Sequence, residues 1–392
     1  MLELLDDHDG SPVARKRVED GLQAHLAAAL ASKGRGDLGL VERAEAEVKA
    51  DPGRRIRIND AGEATVYAAG RSFRGGRFEA PPLCALRARA LATRERAGRP
   101  PSTLRLWVID GAGPATDIGT LQAAAAPGSL FQVASQFNCL ESPGAFVTDV
   151  ASYVHDPTQG PRASISAFPG TLVRHYAAPL PDGGRFVQVT DARQLDLLAD
   201  VAEPAIAAVR NGYLRAPDIA DPAAFASALE DRFDAIRIGV HDGIEVVLGH
   251  DWAGAVDGAP HRTIAQVLTS TIAAGMYGDL DESDRAFVAI CRQLQRAAYL
   301  GTLLAAAALG KERVGLTLIG GGVFANPIEL IWEAILWASD QVRPLLHRDL
   351  LVAVNGRNLG EQLPPHQLRT AAVARHGGLL RLDRSGRVTI EA

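Results

Sequence analysis

The chain alternates short apolar runs with longer stretches in which apolar residues recur every three or four positions. The short runs are typical of β-strands, and they lie at 55–59, 64–67, 104–109, 129–135, 314–319 and 350–354. The longer stretches are typical of amphipathic helices, and they lie at 13–32, 38–49, 83–97, 283–309 and 328–338. This alternation predicts an α/β fold with a mostly parallel or mixed sheet that helices cover on both faces.

Local signals sharpen several boundaries. Ser11 followed by Pro12 predicts a helix start, and Gly310 predicts a helix end. The Asp242–Gly243 pair lies between apolar runs at 236–241 and 244–248, which predicts a two-residue β-hairpin. The basic segment 71–77 is interpreted as a solvated loop.

The pattern divides the chain into three parts. Residues 1–100 are predicted to form a mostly helical N-terminal accessory region that contains one small hairpin, and residues 101–362 the main α/β domain. Residues 363–392 are interpreted as a C-terminal extension with a hairpin turn near Ser385 and Gly386.

Composition favours a globular enzyme. Of the 392 residues, 47% are hydrophobic and 22% are charged, and a net charge of −5 argues against a general nucleic-acid binder. Three widely spaced cysteines give no disulfide framework, so a cytoplasmic location is expected. The apolar run 303–309 is too short, between nearby charges, for a membrane span. The ten histidines lack metal-ligand spacing, and we expect neither a metal nor another cofactor.

A glycine-rich turn is the strongest candidate for a binding site. It joins the strand at 314–319 to the helix at 328–338, and its residues are Gly320, Gly321, Gly322, Val323, Phe324, Ala325, Asn326 and Pro327. Glycine lets backbone N–H groups approach a phosphate, and a helix N-terminus adds positive charge. Two other interpretations are a turn that only packs the helix on the sheet and a dinucleotide fingerprint with Asp340 as its acid. The second is weak because only 70 residues follow Gly322.

A second group of polar residues follows the strand at 129–135. It comprises Gln136, Phe137, Asn138, Cys139, Glu141, Asp149, Tyr153, Asp156, Thr158, Gln159 and Gly160. The i, i+4, i+7 spacing of Asp149, Tyr153 and Asp156 predicts one acidic helix face, and Pro157 predicts that Asp156 lies at the helix end. A solvated acidic face is the alternative. For Cys139, a partly buried thiol is favoured over a thiol-protease nucleophile.

Both groups follow strand ends, where ligands bind in open α/β sheets. The segment 318–327 resembles the second phosphate-binding loop of the macrodomain superfamily. The segment 136–138 resembles the strand end that leads into the first loop of that superfamily. The segments 135–141 and 156–161 together resemble the branch related to poly(ADP-ribose) glycohydrolases, which includes arginine-specific macrodomains. The resemblance covers roughly residues 100–360.

The resemblance implies a macrodomain-like mixed sheet flanked by helices, with an N-terminal helical extension. It implies that Glu141, Asp149 and Asp156 surround the glycosidic carbon, with Asn138 at the ribose distal to adenine. The amides of 320–322 would hold the diphosphate. The other implied ADP-ribose contacts are Gln136, Phe137, Tyr153, Thr158, Gln159, Gly160, Val323, Phe324 and Asn326.

The chain departs from the glycohydrolases because no Gln-Glu-Glu follows its three glycines. The resemblance therefore favours a hydrolase that removes ADP-ribose from mono-ADP-ribosylated protein arginine. The expected partners are ADP-ribose and a modified protein, of which a ubiquitin-like protein is one candidate, with no nucleic acid and no membrane. The alternatives are a non-catalytic ADP-ribose reader and a hydrolase of ester-linked or free ADP-ribose derivatives.

Overall fold

A computed structural model describes residues 2–6, 11–32, 38–98, 102–111, 116–249, 262–278, 283–383 and 387–391. Its α-helices are α1 (Leu2–Asp6), α2 (Pro12–Ser32), α3 (Leu38–Ala50), α4 (Pro52–Arg55), α5 (Leu83–Ala97), α6 (Ile118–Ala123), α7 (Gln159–Ser166), α8 (Phe168–Tyr176), α9 (Pro222–Asp231), α10 (Arg285–Leu309), α11 (Ile328–Val342), α12 (Leu359–Gln362) and α13 (Pro365–Val373). Its strands are β1 (Ile56–Ile58), β2 (Glu63–Ala68), β3 (Arg71–Glu79), β4 (Leu104–Gly111), β5 (Ser129–Ala134), β6 (Ala178–Pro179), β7 (Arg185–Phe186), β8 (Gly239–Glu245), β9 (Thr263–Thr269), β10 (Arg313–Leu316), β11 (Leu350–Arg357), β12 (Gly378–Leu382) and β13 (Val388–Glu391).

Eleven of these strands form one mixed sheet, in the order β1-β2-β3-β8-β9-β5-β10-β11-β4-β12-β13. The six strands from β9 to β12 in that order are mutually parallel, and the strands at both ends of the sheet pair antiparallel. The carboxyl ends of the six parallel strands therefore lie along one edge of the sheet.

Helices cover both faces of the parallel strands. Gln132 of β5 donates a hydrogen bond to Thr302 of α10 (3.0 Å). Gln266 of β9 lies beside Phe131 in the ladder and donates to the Ala163 carbonyl of α7 (3.0 Å). Because successive side chains of a strand point to opposite faces, α10 and α7 lie on opposite faces of the sheet. This architecture confirms the predicted α/β fold class of a mixed sheet flanked by helices.

A second hydrophobic cluster ties the N-terminal region to the main sheet. Val41 of α3, Phe73 of β3, Tyr153 and Leu172 of α8 are all buried in it. The strands β1–β3 continue the central sheet through β8, and β12 and β13 extend its other end. The sheet thus crosses both predicted domain boundaries, and the division at residues 100 and 362 stays a prediction.

Most predicted elements are confirmed, and three are corrected. The strand expected at 314–319 ends at Leu316, and the basic segment 71–77 lies in β3 rather than in a loop. The predicted hairpin at Asp242–Gly243 is not formed. Both residues lie within β8, at the point where its register with β9 shifts. Strand pairing with β3 and β9 on both sides holds β8 extended, and the Asp-Gly pair forms an irregularity instead of a turn. The residues of the C-terminal turn at 385–386 lie outside the described part, although β12 and β13 do pair antiparallel.

Gly76 provides a test of this irregularity. It has φ +76°, and an added Cβ would lie 2.5 Å from the Asp242 carbonyl oxygen. Gly70 has φ +74° with no atom within 4 Å of such a Cβ. We expect Gly70→Ala to lower the free energy of unfolding by about 1 kcal/mol, the backbone cost alone. Gly76→Ala should cost at least about 2 kcal/mol more because of the overlap, as measured by urea denaturation. Equal losses would contradict the close approach of β3 and β8.

Candidate functional site

A cavity of about 410 Å³ lies at the carboxyl ends of the parallel strands. Ser135 follows β5, Thr271 follows β9, and Gly320 follows β10, so three adjacent strands deliver residues to the same space. Predicted site residues that line the cavity are Gln136, Glu141, Asp156, Thr158, Gln159, Gly160, Gly320, Gly322, Val323 and Phe324. Predicted site residues outside its lining are Phe137, Asn138, Asp149, Tyr153, Gly321 and Asn326.

The glycine turn forms one wall of the cavity. Gly320 has φ +75°, and an added Cβ would lie 2.5 Å from the Thr271 side chain, so only glycine fits there. Gly322 differs, because its added Cβ would meet no atom within 4 Å. The backbone N–H groups of Gly322, Val323 and Phe324 have no hydrogen-bond acceptor in the described part of the chain. These three donors are available to an anion in the cavity.

Asn326 holds this turn in shape from behind. Its Nδ2 donates to the carbonyls of Ile272 and Phe324, both at 2.9 Å. Its Oδ1 accepts hydrogen bonds from Thr271 (2.9 Å) and Gln295 (3.1 Å). The predicted direct ligand contact of Asn326 is therefore corrected, since its amide is buried and fully used within the protein.

Two carboxylates line the opposite part of the cavity. The Glu141 side chain is only 3% exposed, and its Oε1 has no hydrogen-bond partner among the described residues. Burial raises the pKa of Glu141 well above its usual range, the Arg174 guanidinium opposes this rise, and the Asp156 charge adds to it. Asp156 is half-buried, and its Oδ1 accepts from the Thr158 N–H (2.9 Å). A buried acid with an unpaired oxygen in a cavity is a candidate for proton transfer.

The first turn of α7 closes the cavity beside Glu141. A Cβ at Gly160 would overlap the Ala134 carbonyl and the Glu141 carboxylate, so glycine lets the helix start lie against the end of β5. Gln159 accepts a hydrogen bond from the Ile118 N–H (2.9 Å), while its buried Nε2 has no partner among the described residues. The positive end of the α7 dipole faces this acidic wall.

Asp149 and Asp156 do not share a helix face, which corrects that prediction. Val150–His155 forms a 3₁₀-helix with three residues per turn, and the two aspartates occupy its opposite cap positions. Asp149 lies outside the cavity and accepts two hydrogen bonds from Lys49 Nζ (2.8 and 2.9 Å). Tyr153 is buried, and its hydroxyl oxygen accepts from the Glu141 N–H (3.2 Å).

Phe137 and Asn138 are buried behind the cavity wall. Asn138 donates to Gln194 (2.8 Å) and accepts from the Leu140 N–H (3.1 Å), so its amide shapes the turn that carries Glu141. Cys139 has φ +63° in this turn. Burial raises the pKa of the Cys139 thiol to about 12, which fits the buried thiol favoured above.

Sequence reasoning missed Tyr213 and Tyr277, which form an aromatic wall of the cavity together with the predicted Phe324. The Phe324 ring lies 5.3 Å from Tyr277 and 5.8 Å from Tyr213, and the two tyrosines are 5.1 Å apart. The Tyr213 hydroxyl donates to the Ser142 carbonyl (2.6 Å). Both tyrosines lie in segments without helix or strand periodicity, so no local pattern marks them. Arg357 at the end of β11 also lines the cavity, and it has no carboxylate partner in the described ranges.

Two further searches cover only the described residues. No group of three or more His, Cys, Asp or Glu side chains there is suited to hold a metal ion. None of the helices described combines the length and apolar character that a membrane crossing requires.

No protein-family model and no curated protein match this chain. Among solved structures, it is similar to poly(ADP-ribose) glycohydrolase from Thermomonospora curvata (13% identity, TM-score 0.35, 86% of this chain and 98% of that one). It is also similar to the Deinococcus radiodurans enzyme in apo form (12%, TM-score 0.39, 76% and 93%) and in complex with ADP-ribose (12%, TM-score 0.36, 72% and 88%). At such TM-scores the likeness carries no argument about activity or site residues.

The buried Glu141 carboxyl predicts a pH-dependent stability. Its raised pKa means that the folded state holds the proton more tightly, so Glu141 costs no stability below its ordinary pKa of 4.5. Above that pH, stability falls until the raised pKa is passed, with a limiting slope of about 1.4 kcal/mol per pH unit. We expect Glu141→Gln to be increasingly more stable than wild type as pH rises above 4.5.

Thermal unfolding of both proteins across pH 4 to 9 measures this difference. The exposed Glu230 of α9 supplies the matched control, since Glu230→Gln removes a carboxylate from the surface rather than from the buried cavity wall. A constant difference for Glu141→Gln would contradict the raised pKa.

Proposed function

We propose that this protein is a hydrolase that releases ADP-ribose from mono-ADP-ribosylated arginine side chains of proteins. One observation carries the proposal: the free amides of the glycine turn and the carboxylates of Glu141 and Asp156 line the same cavity. The amides can donate hydrogen bonds to a diphosphate, and the carboxylates can bind a cationic guanidinium leaving group.

The rest of the cavity fits a nucleotide ligand. Its volume of about 410 Å³ lies within the usual range for small-molecule sites. The amides of 322–324 and the unpaired Arg357 guanidinium supply donors for the diphosphate. The rings of Tyr213, Tyr277 and Phe324 supply an apolar wall for the adenosine end.

The reaction exchanges one bond for another at the sugar carbon. Water oxygen bonds to that carbon and gives one proton to Glu141, while the carbon–nitrogen bond to arginine breaks with its electron pair going to nitrogen. Glu141 then returns the proton to the departing guanidine, which leaves as guanidinium. Glu141 is the proposed general base, because it lines the cavity and burial raises its pKa, as is usual for residues that transfer protons. Asp156 is the proposed guanidinium ligand, because it stays partly accessible at the cavity wall.

Charge favours arginine over the alternative linkages. An ester or a phosphate places an oxygen, not a cation, against the acidic wall, and gains nothing from two carboxylates. A panel of arginine-, glutamate-, serine- and phosphate-linked ADP-ribose separates these cases. Binding of ADP-ribose without turnover of any linkage would select the reader instead.

Substitution of Asp156 tests the site directly. We expect Asp156→Asn to lower the rate of ADP-ribose release from an arginine-modified protein about 10²- to 10⁴-fold, since the guanidinium loses its charged partner. Asp149→Asn should change the rate less than about threefold, because its carboxylate binds Lys49 outside the cavity. Asp231→Asn, at an exposed position of α9, is the control. A wild type without activity, or a stronger loss in Asp149→Asn than in Asp156→Asn, would overturn this assignment.

Gly322 tests the phosphate wall separately. A Cβ there meets no protein atom, so Gly322→Ala should fold normally while its methyl group crowds the turn amides. We expect ADP-ribose affinity to fall about fivefold or more by calorimetry. Gly53→Ala, where the only atom within 4 Å of the added Cβ is 3.9 Å away, is the matched control and should bind as wild type. Unchanged affinity in Gly322→Ala would place the diphosphate elsewhere.

A further inference from the structure

Arg174 of α8 is a fully buried cation that makes no ion pair with any described residue. Its Nε donates to the Cys139 carbonyl (3.1 Å), and its Nη1 donates to Gln266 Oε1 (3.3 Å). Its Nη2 donates to the hydroxyls of Thr171 (3.0 Å) and Ser164 (3.4 Å). Its hydrogen-bond acceptors among the described residues are thus all uncharged groups. A charge buried at such cost calls for a reason beyond packing.

The groups that face Arg174 leave its charge unbalanced. His241 of β8 lies 3.2 Å from Nη1 through its Nδ1, which must accept because a guanidinium only donates. Burial and the Arg174 charge hold the pKa of His241 well below its usual range, so this ring is neutral. Cys139 and Tyr153 also interact with Arg174, and burial raises the pKa of both. Glu141 is the remaining acid that acts on Arg174.

We infer that Arg174 is the positioning residue of Glu141: it anchors the turn through the Cys139 carbonyl and supplies the positive charge that stabilises the Glu141 carboxylate in the cavity wall. The anchored residue has φ +63°, two positions before Glu141, so the hydrogen bond fixes the direction in which Glu141 leaves the turn. Gln188 adds a second anchor, since its Nε2 donates to the Asn138 carbonyl (3.0 Å). The catalytic consequence rests on the proposed function, whereas the electrostatic coupling does not.

Loss of the Arg174 charge has one direction of effect. A nearby cation favours an ionised carboxylate, and its removal makes Glu141 hold its proton to higher pH. The Asp156 charge acts in the same direction, because it also disfavours ionisation of Glu141. In a plot of the hydrolysis rate against pH, the limb that reflects Glu141 ionisation therefore moves to higher pH. This holds whether Glu141 acts as base or as acid.

The first experiment compares the pH profiles of hydrolysis for four proteins. Arg174→Met should move the Glu141 limb upward by at least about one pH unit. Gln266→Glu should also move it upward, because a carboxylate 3.3 Å from Nη1 neutralises Arg174 without removing it. Thr171→Val removes one hydrogen bond from Arg174 but keeps its charge, so its limb should match that of wild type. A limb that stays in place in both charge-altering variants would overturn the inference.

The second experiment needs no activity. The gain in melting temperature from Glu141→Gln is measured against pH in the wild-type, Gln266→Glu and Arg174→Met backgrounds. The pH at which this gain levels off should lie at least about one unit higher in the altered backgrounds. Gln266→Glu keeps the test available if Arg174→Met does not fold. Identical curves would refute the coupling, whereas wild type without hydrolysis but with displaced curves would refute only the proposed function.

Discussion

The parallel pairing of β5 with β10 is the constraint on which the site depends. Arg313 lies opposite Ser129 and Gly315 opposite Phe131, so the two strands end side by side. Their continuations, far apart in sequence, meet because parallel strands share a carboxyl edge. Gly315 contributes directly, since an added Cβ would lie 2.7 Å from the Phe131 ring. Without this register the glycine turn and the acidic turn would not face one cavity.

The acidic side depends on a second buried carboxylate. Glu45 of α3 accepts from the N–H groups of Val150 (2.5 Å) and Ala151 (2.6 Å) and from the Tyr176 hydroxyl (2.8 Å). These bonds give acceptors to the first N–H groups of the 3₁₀-helix that ends next to Asp156, which have no partner within that helix. A helix of the N-terminal region thus supports the wall of the cavity through the Glu45 hydrogen bonds.

Patterns that depend on nearest neighbours were predictable from the sequence. The boundaries of α5 match those expected, and Gly310 does end α10 in the left-handed conformation. The predicted meeting of the two turns followed from strand ends alone, and the cavity brings Gly320 and Glu141 together. Asn138 and Asn326 lie in these turns, and their amides bond to neighbouring side chains and backbone groups of the protein. The sequence alone cannot tell whether an asparagine amide binds a ligand or a group of the protein, because the same amide N–H groups can donate to either.

The errors arise where distant strands or rings decide the outcome. Asp242 and Gly243 carry a strong local turn signal, yet pairing with two neighbouring strands keeps β8 extended. Tyr213 and Tyr277 carry no local sequence signal, and their rings pack at an angle against Phe324.

The two carboxylates of the cavity differ in burial and in hydrogen bonding. Glu141 lies behind the start of α7 with an unpaired oxygen, while Asp156 is half-buried and already accepts a backbone hydrogen bond. Burial raises the pKa of Glu141, whereas the more accessible Asp156 is open to a ligand in the cavity. In the proposed reaction, Asp156 therefore holds the cationic leaving group and Glu141 transfers the proton. Arg174 opposes the effect of burial on Glu141, because its positive charge favours the ionised carboxylate.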